Sequence, residues 1–153
     1  MLQISIIGLG LMGKQHLKAI HEHPDCNIGS VIDNTSEAKK IASEQCHPYF
    51  TSLKEAIDVT KPDGLIVATP NSRHFQDSFL ALKAGIPILV EKPISDSIDD
   101  AAKLIELGKK TNVPILTGYH RRHNPIVFEV KKKLDEGYIG TVVAMHGMFW
   151  LFK

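Results

Sequence analysis

The hexapeptide Gly8-Leu9-Gly10-Leu11-Met12-Gly13, set directly behind an apolar run at residues 2–7, constrains this chain more than any other stretch. A G-x-G-x-x-G pattern recurs by chance in turns, so its weight comes from its surroundings. The run ahead of it reads as a strand, Leu17 and Ile20 behind it fall at helical spacing, and a second apolar run at 27–32 leads into Asp33. That is the layout of a strand–turn–helix–strand unit shaped to hold a dinucleotide.

Each position has its own physical task. Gly8 permits the tight turn, Gly10 lets the backbone approach a diphosphate, and Gly13 lets the helix close on the strand. Leu11 and Met12 open the helix, whose unpaired N–H groups and positive dipole end favour an anion. Asp33, about 20 residues beyond Gly13, can accept hydrogen bonds from a ribose hydroxyl and would repel a 2′-phosphate. No arginine stands among Asn34, Thr35 and Ser36 to receive that phosphate. NAD is therefore the expected cofactor, with NADP also within reach. Two plainer readings compete: glycines that serve packing alone, and an Asp33 that only caps the next helix.

Further apolar runs fall at 64–68, 86–90 and 113–117, with a weaker one at 48–50. They alternate little, as strands covered by helices on both faces do. The gaps between them carry helix signals: Ser52 with Glu55, and Ser97 with Asp100, fit a serine cap followed three residues later by an acid. In the second of these helices Ile98, Ala101, Leu104 and Ile105 share a face, leaving Lys103, Lys109 and Lys110 to water. Gly85 and Gly108 sit near expected helix ends, where a positive φ is useful. The fold class that follows is α/β: a Rossmann-type doubly wound parallel sheet over residues 1–120, and the beginning of a second α/β domain over 121–153.

In that second segment Asn124-Pro125 opens a helix running toward Gly137, with Lys131, Lys132 and Lys133 on its solvated face. Met148-Phe149-Trp150-Leu151-Phe152 is apolar at consecutive positions, more than one face of a strand can hide. It calls for cover from the remainder of a longer chain or from a second copy, so a homo-oligomer through the C-terminal segment is expected. A chain of 153 residues holds one complete domain and too little for a second, which reads as an incomplete substrate or oligomerisation domain.

Composition removes several function classes. A net charge of +1 gives no large basic field, so nucleic acid is not an expected partner. No stretch approaches the roughly 20 apolar residues of a membrane span, and the first residues lack the basic start and cleavage site of a signal peptide. Cys26 and Cys46 form no close-spaced pair for a disulfide framework. A soluble, cytoplasmic protein with reduced thiols is the expectation. The pairs His21 with His23 and His120 with His123 join no cysteine or acidic cluster at ligand spacing, so no metal is expected.

Ligands of an open parallel sheet sit beyond the carboxyl ends of its strands, and polar residues follow three of the apolar runs there. They are Thr69-Pro70-Asn71, Glu91-Lys92-Pro93 and Gly118-Tyr119-His120. Lys92 is the sharpest catalytic residue among them: desolvated in a crevice, an amine can exchange a proton with a substrate hydroxyl while hydride passes to nicotinamide. Glu91, next to it, points to the other side if the segment is extended. His74 and His120 are further ligand contacts, either able to carry a proton at physiological pH.

Taken in order, the glycine turn, Ala68-Thr69-Pro70-Asn71 with His74, Glu91-Lys92-Pro93, and the run from Gly118 to Pro125 resemble the Gfo/Idh/MocA family of oxidoreductases. The resemblance covers nearly the whole chain. It implies a Rossmann domain followed by an α/β domain with a large open sheet, acting on sugars, cyclitols or related polyols. It implies that Lys92 is the lysine beside nicotinamide and substrate, and that Thr69, Asn71 and His74 belong to the loop lining the cofactor. From their place at the strand ends, His120 joins Lys92 as an expected catalytic residue, and Pro70 and Glu91 are counted with the cofactor site. Pro93 is a position where a cis peptide is expected. Members of the family also carry an Asp and a His in the second domain, beyond the last residue of this sequence.

Three readings follow. The first is part of an NAD(P)-dependent dehydrogenase acting at a hydroxyl carbon of a polyol or sugar. The second is a non-catalytic NAD-binding module or truncated product. The third is an α/β scaffold that binds no dinucleotide.

Overall fold

The computed structural model describes residues 1–148. Strands and helices alternate as β1 (Leu2–Ile7), α1 (Leu11–Glu22), β2 (Cys26–Ile32), α2 (Ser36–Glu44), β3 (Tyr49–Phe50), α3 (Leu53–Thr60), β4 (Gly64–Val67), α4 (Asn71–Lys83), β5 (Ile88–Val90), α5 (Ile98–Thr111) and β6 (Ile115–Thr117). All six strands pair in parallel, in the order β3-β2-β1-β4-β5-β6. The winding reverses between β1 and β4, which leaves a crevice at the carboxyl ends of those two strands. Rossmann-type winding is thus the observed architecture, as the glycine turn and the spacing of apolar runs predict.

The lack of alternation has its physical reason in two cores. Ile6, Val31 and Ile66 pack on one face of the sheet with Leu17 and Ile20 of α1 and Ala38 and Ala42 of α2. Their neighbours Ile7, Ile32, Leu65 and Val67 pack on the other with Ala56 of α3, Ala81 and Leu82 of α4, and Leu104 of α5. Successive side chains point to opposite faces, and both faces exclude water. The buried hydroxyls of Ser5 and Ser30, opposite each other on β1 and β2, satisfy one another at 2.7 Å.

Proline trims two strands relative to the apolar runs. β5 begins at Ile88 because Pro87 has no N–H for the ladder, although its carbonyl accepts from Leu65 at 2.9 Å. β6 begins at Ile115, after Val113 has closed the end of α5 by donating to the Gly108 carbonyl at 3.0 Å. Ser52 and Ser97 cap α3 and α5 by accepting from Glu55 and Asp100, as the sequence predicts, and Gly85 adopts φ +76°.

Gly108 corrects its expectation. It is no helix end: α5 continues to Thr111, and Asn112 takes the left-handed conformation with φ 55°. Gly108 is buried inside the helix, where an added Cβ would lie 2.7 Å from Ile115 Cδ1, so its role is close approach of α5 to β6. The apolar face of α5 is also narrower than the spacing implies. Leu104 is fully buried, whereas Ile98 is 90% and Ile105 46% exposed, because they flank the line of contact.

Contacts divide the chain after Gly118. In the second unit a single 3-10 turn (His120–His123) precedes α6 (Pro125–Asp135). Asn124 caps α6 by accepting from Ile126 N at 2.9 Å, and Gly137 ends it at φ +71°. Lys131, Lys132 and Lys133 are exposed and pair along the helix with Asp135, Glu136 and Glu129. Residues 142–148 form no strand, and Val143 is 95% exposed. Of the consecutive apolar run, Phe149, Trp150, Leu151 and Phe152 lie outside the described residues.

Candidate functional site

Between β1 and α1 the backbone alone makes a cradle. Gly8 has φ +88°, and a Cβ there would sit 2.6 Å from the Ala68 carbonyl oxygen. At Gly13 a Cβ would sit 2.0 Å from the Gly8 carbonyl oxygen. Neither position has room for a side chain, so both glycines are required for β1, α1 and β4 to come together. At Gly10, by contrast, nothing lies within 4 Å of such a Cβ, and no side chain caps the helix it begins. The start of α1 therefore offers its first-turn N–H groups to open space.

Asp33 stands beside this cradle at the end of β2. Its Oδ2 accepts from Leu9 N and its Oδ1 from Thr35 N, both at 2.7 Å. Burial works against its charge, but the N–H groups of Leu9, Thr35 and Asn34 and the Thr35 hydroxyl outweigh that and hold the carboxyl below its ordinary value. It is an anion at neutral pH. The Tyr49 hydroxyl donates to the Asp33 carbonyl at 2.5 Å and fixes the backbone from the β3 side. Burial and the Asp33 charge push that phenol up, which keeps it a donor. The reading of Asp33 as a plain helix cap is corrected here: the cap of α2 is Thr35, whose side chain accepts from Ala38 N.

A cleft of about 580 Å³ opens along these groups. It brings together Gly8, Gly10, Leu11, Met12, Asp33, Thr69 and Pro70 from the expected set. It also gathers Leu9, Glu37, Thr51, Leu53 and Arg73, which the sequence reading missed. Arg73 is half-exposed and held by Asp77, with Nη2 donating to Oδ1 at 2.9 Å and Nε to Oδ2 at 3.3 Å. The hydrogen bond and charge of Asp77 raise the guanidinium further above its ordinary range. The spacing of four residues on α4 was a readable signal for that pair.

The remaining expected residues lie outside the lining of this cleft. Gly13 is buried beneath it, and Asn71 is exposed at the start of α4. His74 is 1% exposed, with Nδ1 2.7 Å from the Pro93 carbonyl oxygen and Nε2 2.8 Å from that of Thr69. Glu91 is 7% exposed; its Oε1 is 2.8 Å from His16 Nε2 of α1, and its Oε2 accepts from Lys92 N at 3.3 Å. Gly118 gives that carboxyl its space, since a Cβ there would approach it to 3.0 Å. Lys92 follows β5 at the same sheet edge and is exposed, so the first unit by itself does not supply the expected desolvation. The Lys92–Pro93 peptide is cis. His120 belongs to the second unit, where it is exposed in the 3-10 turn.

Among the described residues no three His, Cys, Asp or Glu side chains gather as a metal-ligand set. His21 meets His47 instead of His23, with their Nε2 atoms 3.1 Å apart. No helix among the described residues is long and apolar enough to cross a membrane.

The chain is similar to inositol 2-dehydrogenase of Corynebacterium glutamicum, 28% identical over 151 residues that span 96% of this chain and 45% of that protein. It thus spans just under half the length of that relative. In structure it is similar to myo-inositol 2-dehydrogenase of Lactobacillus plantarum, with TM-score 0.87, 24% identity, and coverage of 93% of this chain and 43% of that one. It is also similar to scyllo-inositol dehydrogenase of Lactobacillus casei solved with NAD(H) and scyllo-inositol, with TM-score 0.86, 23% identity, and coverage of 91% and 42%. The model of the Gfo/Idh/MocA oxidoreductase family, NAD-binding Rossmann fold, matches residues 2–119, and with the glycine cradle and Asp33 in place the chain belongs to that family.

Proposed function

We propose that this chain is the cofactor-binding portion of an NAD-dependent dehydrogenase that acts at a hydroxyl carbon of a sugar, cyclitol or related polyol. The observation that carries the reading is the uncapped helix start at Gly10, with room in front of it and the Asp33 carboxylate fixed beside it. A diphosphate fits the first, and the adjoining ribose hydroxyls fit the second. The Asp33 carboxylate disfavours a 2′-phosphate in the same cleft, which supports NAD over NADP. When bound, the nicotinamide takes up or returns a hydride at its C4.

The chain's own residues then have distinct tasks. Gly10, Leu11 and Met12 hold the diphosphate through backbone N–H groups, and Thr69, Pro70 and Asn71 border the nicotinamide side. Lys92 carries the proton of the substrate hydroxyl, with His120 as a second proton carrier. Glu91 and His74 serve this site from behind, through contacts within the protein. The exposed apolar residues Ile126 and Phe128 of α6 fit an assembled protein in which the second unit is covered by further chain or by a second copy. The two unpaired thiols, Cys26 and Cys46, are in keeping with a cytoplasmic setting.

Calorimetry of the chain with NAD and NADP tests the cofactor half; saturable binding of NAD, tighter than NADP, is the expected result, and binding of neither would overturn the reading. The catalytic half is read in the full-length protein, as nicotinamide absorbance across a polyol panel. Lys92→Ala should lower turnover there by about 100-fold or more while NAD affinity stays within about twofold. Equal turnover in the variant would remove Lys92 from the chemistry.

A further inference from the structure

We infer that His74 and His16 are positioning residues that anchor the peptide on either side of Lys92, His74 through the Pro93 carbonyl and His16 through the Glu91 carboxylate. The importance of Lys92 rests on the dehydrogenase reading; the anchoring itself does not. Lys92 is exposed, yet each neighbour is fastened to a different helix. Glu91 is held to α1 by His16 Nε2 at 2.8 Å, and Pro93 to α4 by His74 Nδ1 at 2.7 Å. Those helices follow β1 and β4, the strands at which the winding reverses. The lysine is thus free at its tip and fixed at its root.

His74 does more than fasten one loop. Its Nε2 lies 2.8 Å from the Thr69 carbonyl, so one ring joins the turn after β4 to the turn after β5. Both partners are carbonyl oxygens, which only accept, so each contact draws on a ring N–H; a neutral ring serves one of them at a time. Thr69 is held again through its hydroxyl, which donates to Asp77 Oδ2 at 3.0 Å, and Asp77 holds Arg73 in the cleft. A continuous line of contacts therefore runs from a cleft arginine to the peptide that carries Lys92. At 1% exposure the His74 ring meets no water that could replace either contact.

Side-chain replacements separate the two contacts. His74→Phe keeps a ring of similar volume and removes the ring nitrogens behind both contacts; amide exchange at Thr69, Asn71 and Lys92 should rise by about fivefold or more with the helical signal retained. His74→Asn places a donor near Nδ1 and should restore protection at Lys92 alone. His74→Gln places one near Nε2 and should restore it at Thr69 and Asn71 alone. Unchanged exchange at Lys92 in His74→Phe, or the same pattern in the Asn and Gln variants, overturns the anchor. If His74→Phe does not fold, the contrast between Asn and Gln decides. NAD titrations run beside these measurements keep the questions apart: a wild-type chain that fails to bind NAD sinks the dehydrogenase reading, while the exchange pattern still tests the anchors.

Discussion

The turn after β1 and the turn after β5 lie at the same edge of one sheet and are made in opposite ways. The first is shaped by missing side chains: Gly8 and Gly13 let three backbones meet, and Gly10 leaves room in front of a helix. The second is shaped by side chains arriving from afar, with His16 on Glu91 across 75 positions and His74 on Pro93 across 19. A backbone cradle is rigid and tolerates no added atoms at Gly8 and Gly13, where its backbones meet. A side-chain anchorage tolerates substitution in proportion to the hydrogen bonds that the substitute can remake.

The sharpest way to break this contrast is Gly13→Ala. Its methyl would meet a backbone oxygen at 2.0 Å, which no rotamer can relieve. A loss of about 3 kcal/mol or more is expected in chemical denaturation, larger than any single anchor would give. A loss under about 1 kcal/mol would show that the cradle yields after all. Asp33→Asn comes next, because the amide that replaces Oδ2 would face Leu9 N–H donor to donor. NAD affinity should fall about tenfold by calorimetry.

The same acid gives a pH signature. Its folded carboxyl titrates below the ordinary value of 3.8, so in acid the unfolded chain binds the proton more readily. Its contribution to stability is complete above that ordinary value and is lost as pH falls through the lower folded one. Denaturation midpoints of wild type and Asp33→Asn should therefore converge in strong acid; a constant gap would contradict the assignment. The smallest effect belongs to Gly10→Ala, whose methyl meets nothing within 4 Å. Stability should stay within about 0.5 kcal/mol while NAD affinity drops about fivefold by calorimetry. Equal loss of both would erase the distinction between packing and binding glycines.

The same contrast explains what was legible in advance. The cradle and the succession of strands and helices could be read because local rules govern them: glycine where backbones touch, apolar runs where both faces are covered, serine where a helix begins. Gly108 escapes such rules because its meaning lies in Ile115 Cδ1, on another element. Ile98 and Ile105 share helical spacing with Leu104, yet spacing cannot say how wide the contact on α5 is. His16 stood unnoticed in the helix after the glycine turn, and its pairing with Glu91 follows only from the fold. Thr51 and Leu53 reach the cleft because β3 lies beside β2, which no local pattern announces.

Asp33 has one further consequence. Its two carboxylate oxygens brace Leu9 and Thr35, while Tyr49 steadies its carbonyl. The acceptor that would choose between cofactors is also the keystone between the first two strand ends and the third. Retuning this fold toward a phosphorylated nucleotide by trimming that acid would loosen the diphosphate seat along with the discrimination. A successful exchange of preference would have to bring a second residue that takes over the bracing, so the trait should change by paired substitutions and resist single ones.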